Sequence, residues 1–381
     1  MSKRTCRLCG ESPLKEVLVM ENAPRNISRL LTSDEFSSDT PITLRVYQCM
    51  ACGHVQLIKQ LEDTYYEDYL MMWSHSPQMR TYQRQQAFEF VSQFKLTRRK
   101  VIEVGCGDGN YLHYLAEAGA DVTGVEPSQR LRALARQRGF KVLAGYMGRD
   151  YQVEGEPYDA FVARQVLEHV PAPNDFLLGI RSALTQDGVG LVEVPSLEHE
   201  IENRWFYEFF SDHLSYFSAR TLRLVLERNG FDVLDMSRGM NDENLVAFVR
   251  IAPLMDLAPV RQAGDIVKRE VHRFVQMISA RGGRVAVWGA GYKGIAALAS
   301  IKVEKYAYVI DSDPIKQGHF TPGSHFPIVA PAALETDPVD AVIVTAPTYR
   351  DEIVHRLQQE IRFSGIIAVV GREGLEIVQE G

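Results

Sequence analysis

The sequence predicts an α/β protein that carries a four-cysteine module ahead of two Rossmann-like domains. Two strand–glycine turn–helix patterns, at residues 100–112 and 284–298, predict the two Rossmann-like domains. Two matched Cys-x-x-Cys-Gly pairs before residue 54 predict the N-terminal module. We place this module at residues 1–65, the central domain at 66–252 and a smaller C-terminal domain at 253–381.

The composition is that of an ordinary globular protein, with 45% apolar and 24% charged residues among 381. The net charge of −7 gives no general electrostatic attraction to nucleic acid. No apolar run approaches the roughly 20 residues that span a bilayer, and the polar N-terminus does not predict a signal segment. We therefore expect a cytoplasmic protein that binds a small molecule, rather than nucleic acid or membrane.

The cysteines indicate a metal site rather than a disulfide framework, because five is an odd number and four of them form two close pairs. Four thiolates satisfy tetrahedral zinc completely, which leaves no position for a catalytic water. The glycine after each pair permits a tight turn, and residues 42–48 predict a strand that leads into the second pair. A redox dithiol or accidental pairs would not explain two matched copies. The pattern predicts a zinc-ribbon-like module whose structural zinc is bound by Cys6, Cys9, Cys49 and Cys52.

The central glycine pattern differs from the one that binds dinucleotides. After a predicted buried strand the turn reads Gly-x-Gly-x-Gly, and the next strand ends on Glu126, 21 positions after Gly105. Dinucleotide folds use Gly-x-Gly-x-x-Gly, which seats a pyrophosphate on a helix N-terminus. The tighter spacing, with Glu103 before it, is similar to the first motif of class I methyltransferases, whose donor S-adenosylmethionine has no phosphate. A Rossmann-like domain that does not methylate is the alternative. Later segments match those enzymes in order, at residues 158–163, 165–170 and 188–195.

An aromatic-rich segment after the fifth predicted strand carries the candidate catalytic residues Asp212, His213 and Tyr216. Ser218 follows them as the N-cap of a helix predicted at residues 219–229. A histidine has an ordinary pKa of about 6.5, so a neutral imidazole can accept a proton at neutral pH. We take His213 as the candidate base and Asp212 as the residue that orients it. The alternative is a core histidine that only makes hydrogen bonds beside the helix cap.

The C-terminal glycine turn has the dinucleotide spacing, Gly289-x-Gly291-x-x-Gly294, and a second strand ends on Asp311, 22 residues after Gly289. Binding of NAD is therefore one interpretation. Only about 100 residues follow residue 284, however, which is small for a dinucleotide domain with its own substrate site. Lys293 adds a charge inside the turn, where backbone amides ordinarily bind the dinucleotide, and a polar loop at 316–327 suits a phosphorylated ligand better.

Taken together, the three parts resemble the nucleotide-sugar C-methyltransferases of deoxysugar biosynthesis over nearly the whole chain. Those proteins combine an N-terminal zinc domain, a class I methyltransferase core and a C-terminal Rossmann-like domain that helps to hold the substrate. The resemblance implies S-adenosylmethionine as donor, with its ribose on the acid that ends the second strand and its methionine part against the glycine loop. It implies the donor-binding residues Glu103, Gly105, Gly107, Gly109, Glu126 and Gln165. It implies the acceptor-binding residues Tyr69, Lys293, Lys316, His325 and Tyr349.

The resemblance also implies a mechanism. A 4-keto sugar nucleotide has an acidic proton at C3, His213 removes it, and the resulting enolate attacks the methyl group of the donor. Asp212 stands where the family has glutamate, and Phe210 where it has tyrosine, so one hydroxyl is missing. An O- or N-methyltransferase for another small metabolite is the alternative, and a non-catalytic zinc-ribbon adaptor is a more distant one. We interpret Glu168 and His169 as residues that pack near the donor rather than as a catalytic pair.

Overall fold

The chain divides into two compact units, Met1–Pro253 and Leu254–Gly381. The computed structural model describes residues 5–28, 30–58, 76–303 and 305–381. The first unit contains a four-stranded and a seven-stranded sheet, and the second contains a six-stranded sheet. The boundary predicted between residues 65 and 66 falls outside the described residues, and the three-domain division stays a prediction.

A four-stranded antiparallel sheet carries both cysteine pairs. In spatial order its strands are β1 (Leu14–Ala23), β2 (Ile42–Cys49), β3 (Val55–Leu57) and β9 (Ser215–Tyr216). The strand predicted at residues 42–48 is confirmed as β2. Gly10 and Gly53 have positive φ angles and close the turns after the pairs, where their amides donate to the carbonyl oxygens of Cys6 and Cys49 over 2.9 Å. Because β9 comes from far along the chain, the cysteine module and the central region share one sheet.

The seven-stranded sheet follows the doubly wound Rossmann-like plan. In spatial order its strands are β10 (Phe231–Gly239), β11 (Asn244–Ile251), β8 (Leu184–Pro195), β7 (Tyr158–Arg164), β4 (Lys100–Val104), β5 (Asp121–Glu126) and β6 (Lys141–Ala144). Neighbouring strands are parallel from β8 to β6, whereas β11 runs antiparallel to both β8 and β10. The strand order reverses between β4 and β7, which is where this fold binds its ligands. The predicted class I Rossmann-like core is confirmed.

Helices cover both faces of this sheet, because successive side chains of its central strands point to opposite sides. Val101 and Val162 pack on one face, whereas Ile102 and Phe161 pack on the other. The helices are α1 (Pro77–Gln93), α2 (Asn110–Glu117), α3 (Gln129–Gln137), α4 (Pro173–Ser182), α5 (Leu197–Asn203) and α6 (Ala219–Arg228). The predicted cap is confirmed, since the Ser218 hydroxyl accepts from the amide of Thr221 at the start of α6 over 3.2 Å.

The second unit is a smaller sheet of the same kind. In spatial order its strands are β14 (Ile328–Val329), β13 (Val309–Ile310), β12 (Val285–Trp288), β15 (Ala341–Val344), β16 (Ile366–Val370) and β17 (Leu375–Gln379). All neighbours are parallel except β17, which runs antiparallel to β16. Its helices are α7 (Ala258–Ala280), α8 (Tyr292–Ile301), α9 (Ala333–Thr336) and α10 (Arg350–His355). Of the helices in the described part of both units, none combines the length and the apolar character that a membrane span requires.

Candidate active site

The glycine loop closes the carboxyl end of β4 at the point where the strand order reverses. Gly105, Gly107 and Gly109 have φ angles of +75°, +54° and +79°, which glycine adopts without the strain that other residues incur. The amide of Gly105 donates to the carbonyl oxygen of Val125 over 2.8 Å and keeps the loop against β5. The loop therefore presents bare backbone at the edge where nucleoside ligands of this fold bind.

Gly105 lies so close to Val166 that a side chain has no room. A Cβ atom at Gly105 would come within 2.4 Å of Val166 Cγ2. We expect Gly105→Ala to lower the free energy of unfolding by about 1–3 kcal/mol and to weaken donor binding, because it adds this overlap to an unfavourable backbone conformation. Gly139→Ala is the matched control, since Gly139 has a φ of +91° but no atom within 4 Å of the added Cβ. Urea denaturation and donor titration measure both effects, and equal losses in the two variants would contradict the prediction.

Glu126 ends β5 beside this loop and is almost completely buried. Its Oε2 accepts from the amide of Gly107 over 2.9 Å, and its Oε1 accepts from the amide of Ser128 over 2.8 Å. Burial raises the pKa of the Glu126 carboxyl, and the two amide donors oppose that shift. Each carboxylate oxygen has a further lone pair, so Glu126 can also accept from the hydroxyl groups of a ribose.

Glu103 and Gln165 lie at the same edge, on β4 and directly after β7. Glu103 is 4% exposed, and its Oε2 has no hydrogen-bond partner among the described residues. Burial raises the pKa of Glu103 well above its ordinary range, and the charge of Arg164 opposes the shift. Gln165 has a left-handed backbone with a φ of +54°, and its amide donates to the carbonyl oxygen of Glu193 over 2.8 Å. A buried carboxyl with one oxygen that lacks a partner among the described residues fits the cationic amino group of the donor's methionine part at this position.

A buried polar network that the sequence analysis missed lies next to these residues. Glu193 on β8 is fully buried. Its Oε1 accepts from Arg164 Nη2 over 2.8 Å and from Asn244 Nδ2 over 3.0 Å. Its Oε2 accepts from the hydroxyl of Tyr82 over 2.9 Å and from the amide of Gln86. Gln165 Nε2 is a fifth donor, 3.5 Å from Oε1, so this fully satisfied carboxylate is a structural centre rather than a reactive group.

The same network fixes α1 over the glycine loop. Tyr82 and Gln86 reach Glu193 from α1, and Gln83 of α1 accepts from Asn110 Nδ2 over 2.7 Å at the first residue of α2. A signal was available in the sequence, because Gln83 and Gln86 are polar residues three positions apart that share a face with apolar ones. That pattern indicates a buried polar helix face, although it does not name the partner.

His213 lies just before β9 in a pocket of aromatic rings. Its ring centroid is 4.8 Å from that of His169, 4.9 Å from that of Phe210 and 6.1 Å from that of Tyr216. Burial lowers the pKa of His213 well below its ordinary value, and His169 adds to the lowering. The imidazole is therefore neutral at neutral pH, which is the form that accepts a proton.

Asp212 faces His169 instead of the candidate base. The carbonyl oxygen of Asp212 accepts from His169 Nδ1 over 3.1 Å, and Asp212 Oδ2 is 3.8 Å from the same nitrogen. Within the described residues no hydrogen bond joins the side chains of Asp212 and His213, so the orienting role of Asp212 stays a prediction. Tyr216 donates its hydroxyl to the carbonyl oxygen of Phe210 over 3.0 Å.

Glu168 and His169, which the sequence analysis assigned to packing, lie against the candidate base. They end a short 3-10 turn after β7, and Glu168 is 1% exposed with no partner for either carboxylate oxygen among the described residues. Glu168 Oε1 is 3.8 Å from His169 Nε2. The ligand atoms of Glu168, His169 and His213 all lie within 4.8 Å of one another. Sequence reasoning did not join these residues because they come from two distant segments.

The four paired cysteines form one cluster. The Sγ–Sγ distance is 3.6 Å between Cys6 and Cys52 and also between Cys9 and Cys49, and all four sulfur atoms lie within 4.8 Å of one another. Tetrahedral zinc with Zn–S bonds of about 2.3 Å separates its sulfur ligands by about 3.8 Å. A disulfide would need an S–S distance of about 2.0 Å. The cluster therefore has the spacing of a four-thiolate zinc site.

Hydrogen bonds join the cysteine module to the segments that carry the two histidines. The amide of Leu57 donates to the carbonyl oxygen of Leu214 over 3.0 Å, next to the pairing of β3 with β9. Arg7 lies inside the first cysteine pair, and its Nη1 donates to the carbonyl oxygen of Pro171 over 2.7 Å. Its Nη2 donates to the carbonyl oxygen of Leu57 over 3.2 Å. The cysteine module is therefore joined by hydrogen bonds to the segment that carries His169 and to the segment that carries His213.

In the second unit, Lys293, Lys316 and Tyr349 follow three neighbouring strands. Lys293 at the start of α8 donates to Thr348 Oγ1 over 3.3 Å, and Tyr349 beside that threonine is 61% exposed. Lys316 forms a 3.0 Å ion pair with Asp311. The acid that would hold the ribose of a dinucleotide is thus engaged by a lysine, which is no feature of the dinucleotide fingerprint.

Two further acceptor-binding residues, His325 and Tyr69, were predicted from the sequence. His325 lies in the turn before β14 with a φ of +59°, and its amide donates to the carbonyl oxygen of Thr321 over 2.8 Å. Tyr69 lies outside the described residues. The acceptor-binding role of all five residues therefore stays a prediction. Three of them, Lys293, Lys316 and Tyr349, lie at one edge of the sheet.

Two family models match the chain. A methyltransferase-domain model matches residues 78–236, and a model of the C-methyltransferase C-terminal domain matches residues 248–370. The C-methyltransferase NovU of Streptomyces niveus is 27% identical over 94% of this chain and 93% of its own length. The chain is an S-adenosylmethionine-dependent methyltransferase. It matches a C-methyltransferase family through both units, and the resemblance to C-methyltransferases stated from the sequence is confirmed.

Other relatives match a shorter part of the methyltransferase. The ubiquinone biosynthesis O-methyltransferase of Actinobacillus pleuropneumoniae is 31% identical over 24% of this chain and 43% of its own length. Among solved structures, the magnesium protoporphyrin IX methyltransferase of Synechocystis is 16% identical, covers 49% of this chain and 91% of its own, and has a TM-score of 0.40. The match to NovU is thus longer than the match to this ubiquinone biosynthesis enzyme.

Proposed function

We propose that the methyltransferase transfers a methyl group to a carbon atom of a keto-deoxysugar nucleotide, with His213 as the general base. The observation that carries the proposal is the neutral imidazole of His213, held among aromatic rings on the segment that follows β8. The long match to a C-methyltransferase supports carbon as the methylated atom. The resemblance to deoxysugar enzymes supports the class of acceptor.

A ketone supplies the acidity that this reaction needs. The C–H bond next to the carbonyl breaks as His213 accepts the proton, and the electron pair is delocalised onto the carbonyl oxygen as an enolate. The enolate carbon then bonds to the methyl carbon of the donor while the S–CH₃ bond breaks, and the sulfonium becomes a neutral thioether. One proton leaves and one methyl group enters at the same carbon, so the reaction requires no oxidant or reductant.

The donor lies along the carboxyl ends of β5, β4 and β7 in this proposal. Glu126 accepts from the ribose hydroxyls, the glycine loop lies under the methionine part, and Glu103 attracts its amino group. Gln165 lies beside the same part, at the end of β7. Phe210 contacts the His213 ring and brings no hydroxyl, so it contributes to a dry pocket around the base. Exclusion of water strengthens the electrostatic contacts that stabilise an enolate.

The four-cysteine cluster binds a structural zinc ion in this proposal. Its four thiolates complete the coordination of the ion, so the zinc supplies no reactive water. The zinc site stabilises the sheet in which β3 pairs with β9, and β9 begins shortly after His213. A non-catalytic metal therefore affects the reaction through the position of the base. In the second unit, Lys293 and Lys316 supply positive charge that suits the phosphates of a sugar nucleotide, and Tyr349 supplies an exposed ring that suits its base, with His325 and Tyr69 as further proposed acceptor-binding residues.

Hydrogen exchange in deuterium oxide tests the proposed chemistry. The methyltransferase, its demethylated donor product and a panel of keto sugar nucleotides are incubated together, and deuterium is located by NMR. We expect exchange at the carbon next to the ketone and, with S-adenosylmethionine, a methyl group at that carbon. The corresponding alcohols, which cannot form an enolate, are the matched control. Methylation of oxygen or nitrogen without exchange would reject the proposal in favour of the other acceptor class.

A further inference from the structure

Glu168, His169 and His213 form a second group of metal-ligand type, separate from the cysteine cluster. Their ligand atoms lie within 4.8 Å of one another. Two imidazoles and one carboxylate are a ligand set that suits divalent transition metals such as zinc, cobalt, nickel and iron. Glu168 follows β7 and His213 precedes β9, so the group joins two segments of the same unit.

The contact between Glu168 and His169 points to a cation between them. The carbonyl oxygen of Asp212 can only accept, so His169 Nδ1, 3.1 Å away, carries the proton, and Nε2 of the neutral ring presents a lone pair. That lone pair lies 3.8 Å from Glu168 Oε1, and the carboxylate is 1% exposed and unpartnered. A cation bound beside this nitrogen would supply the partner that the buried Glu168 carboxyl lacks among the described residues.

The 3.8 Å distance distinguishes a metal ion from a shared proton. It exceeds the roughly 3.2 Å limit of a normal hydrogen bond, so a proton does not bridge it well. It is shorter than the sum of two metal–ligand bonds of about 2.1 Å each, so an ion fits between the two atoms. The hydrogen bond from His169 Nδ1 to a backbone carbonyl is also the support that metal-bound histidines ordinarily have.

We infer that Glu168, His169 and His213 bind a divalent transition-metal ion, and that this ion blocks methyl transfer because it occupies the lone pair of His213. The site itself stands on the geometry of the three residues. Its effect on the rate rests on the proposed function, in which His213 must have a free lone pair to accept the proton. The metal and the acceptor thus compete for one nitrogen atom.

Cobalt binding to the full-length methyltransferase with zinc in the cysteine cluster tests the site. We expect one equivalent of Co²⁺ by equilibrium dialysis, with the visible absorption of nitrogen and oxygen ligands and no sulfur charge-transfer band. Glu168→Gln and His169→Gln are each expected to weaken this binding by more than about 100-fold, the upper end of the loss that a change in the supporting residues causes. His319→Gln removes an exposed histidine of the second unit and is the matched control. This variant is expected to bind the same one equivalent of Co²⁺ as the wild type.

The possible results distinguish the metal site from its proposed blocking of methyl transfer. The metal site is overturned if the wild type binds no equivalent of Co²⁺. It is also overturned if Glu168→Gln binds Co²⁺ as tightly as the wild type does. With the site present, we expect Co²⁺ to slow methyl transfer by about 10²-fold, the lower end of a general base's contribution, and a chelator to restore the rate. A rate that rises with Co²⁺ overturns the blocking role. An equivalent of cobalt in a protein that methylates no ketone would support the site and reject only the proposed function.

Discussion

Replacing His213 by glutamine is expected to lower kcat for methyl transfer by about 10²- to 10⁴-fold, the contribution of a positioned general base. Glutamine fills much of the space of the imidazole but does not accept a proton at neutral pH. The Kd for S-adenosylmethionine is expected to stay within about twofold, because His213 lies outside the donor edge formed by β5, β4 and β7. Release of the demethylated donor measures kcat, and calorimetric titration measures Kd.

A control separates loss of the base from a general disturbance of the first unit. His113 lies on the exposed side of α2, and His113→Gln is expected to keep kcat within about twofold of the wild type. Deuterium exchange at the acceptor carbon provides a further readout, because it requires the base but no methyl transfer. If the His213→Gln protein exchanges hydrogen at the wild-type rate, another residue is the base.

Replacing Cys49 by serine is expected to release the zinc ion and to lower the free energy of unfolding of the first unit by more than about 3 kcal/mol. Binding of a structural zinc ion is worth about 10–16 kcal/mol in zinc-finger peptides, and this free energy belongs to folding. Cys49 ends β2, which pairs with β3, so the disturbance extends to β9 and to the segment of His213. Metal analysis measures the zinc, and urea denaturation measures the stability.

The fifth cysteine offers the matched control. Cys106 is buried in the glycine loop, away from the cluster, and Cys106→Ser is expected to keep one equivalent of zinc. A serine there costs some packing but leaves all four thiolates in place. A Cys49→Ser protein that retained full stability and full activity without zinc would show that the cluster supports neither the fold nor the base.

The sequence predicted those parts of the site that depend on local patterns. A glycine turn between a strand and a helix, and an acid at the end of the next strand, lie within about 30 residues of one another, so their spacing alone placed Gly105 and Glu126 at one sheet edge. The same holds for the cysteine pairs, because zinc fixes the distance between two short turns. Lys293 and Lys316 were likewise placed after strands that became neighbours.

The rest of the site depends on contacts between distant segments, and a single sequence does not name the partners in such contacts. Glu193 looked like one residue of an apolar strand, and only the fold shows that donors from α1, β7 and β11 converge on it. Glu168 and His213 meet in the same way. The contact of Asp212 with His169 was not predicted, because adjacency to His213 in the sequence says little about the direction of a side chain. A two-residue strand such as β9 is too short to leave a pattern.

The pairing of β3 with β9 also has a consequence for synthesis on the ribosome. Translation proceeds at roughly 5–20 residues per second, so on the order of 10 s passes between the emergence of Leu57 and that of Ser215. During that interval the edge of β3 has no partner, and an open edge strand is a template for pairing with other chains. Nascent chains that stop before residue 215 should therefore depend on chaperones more than the finished protein does.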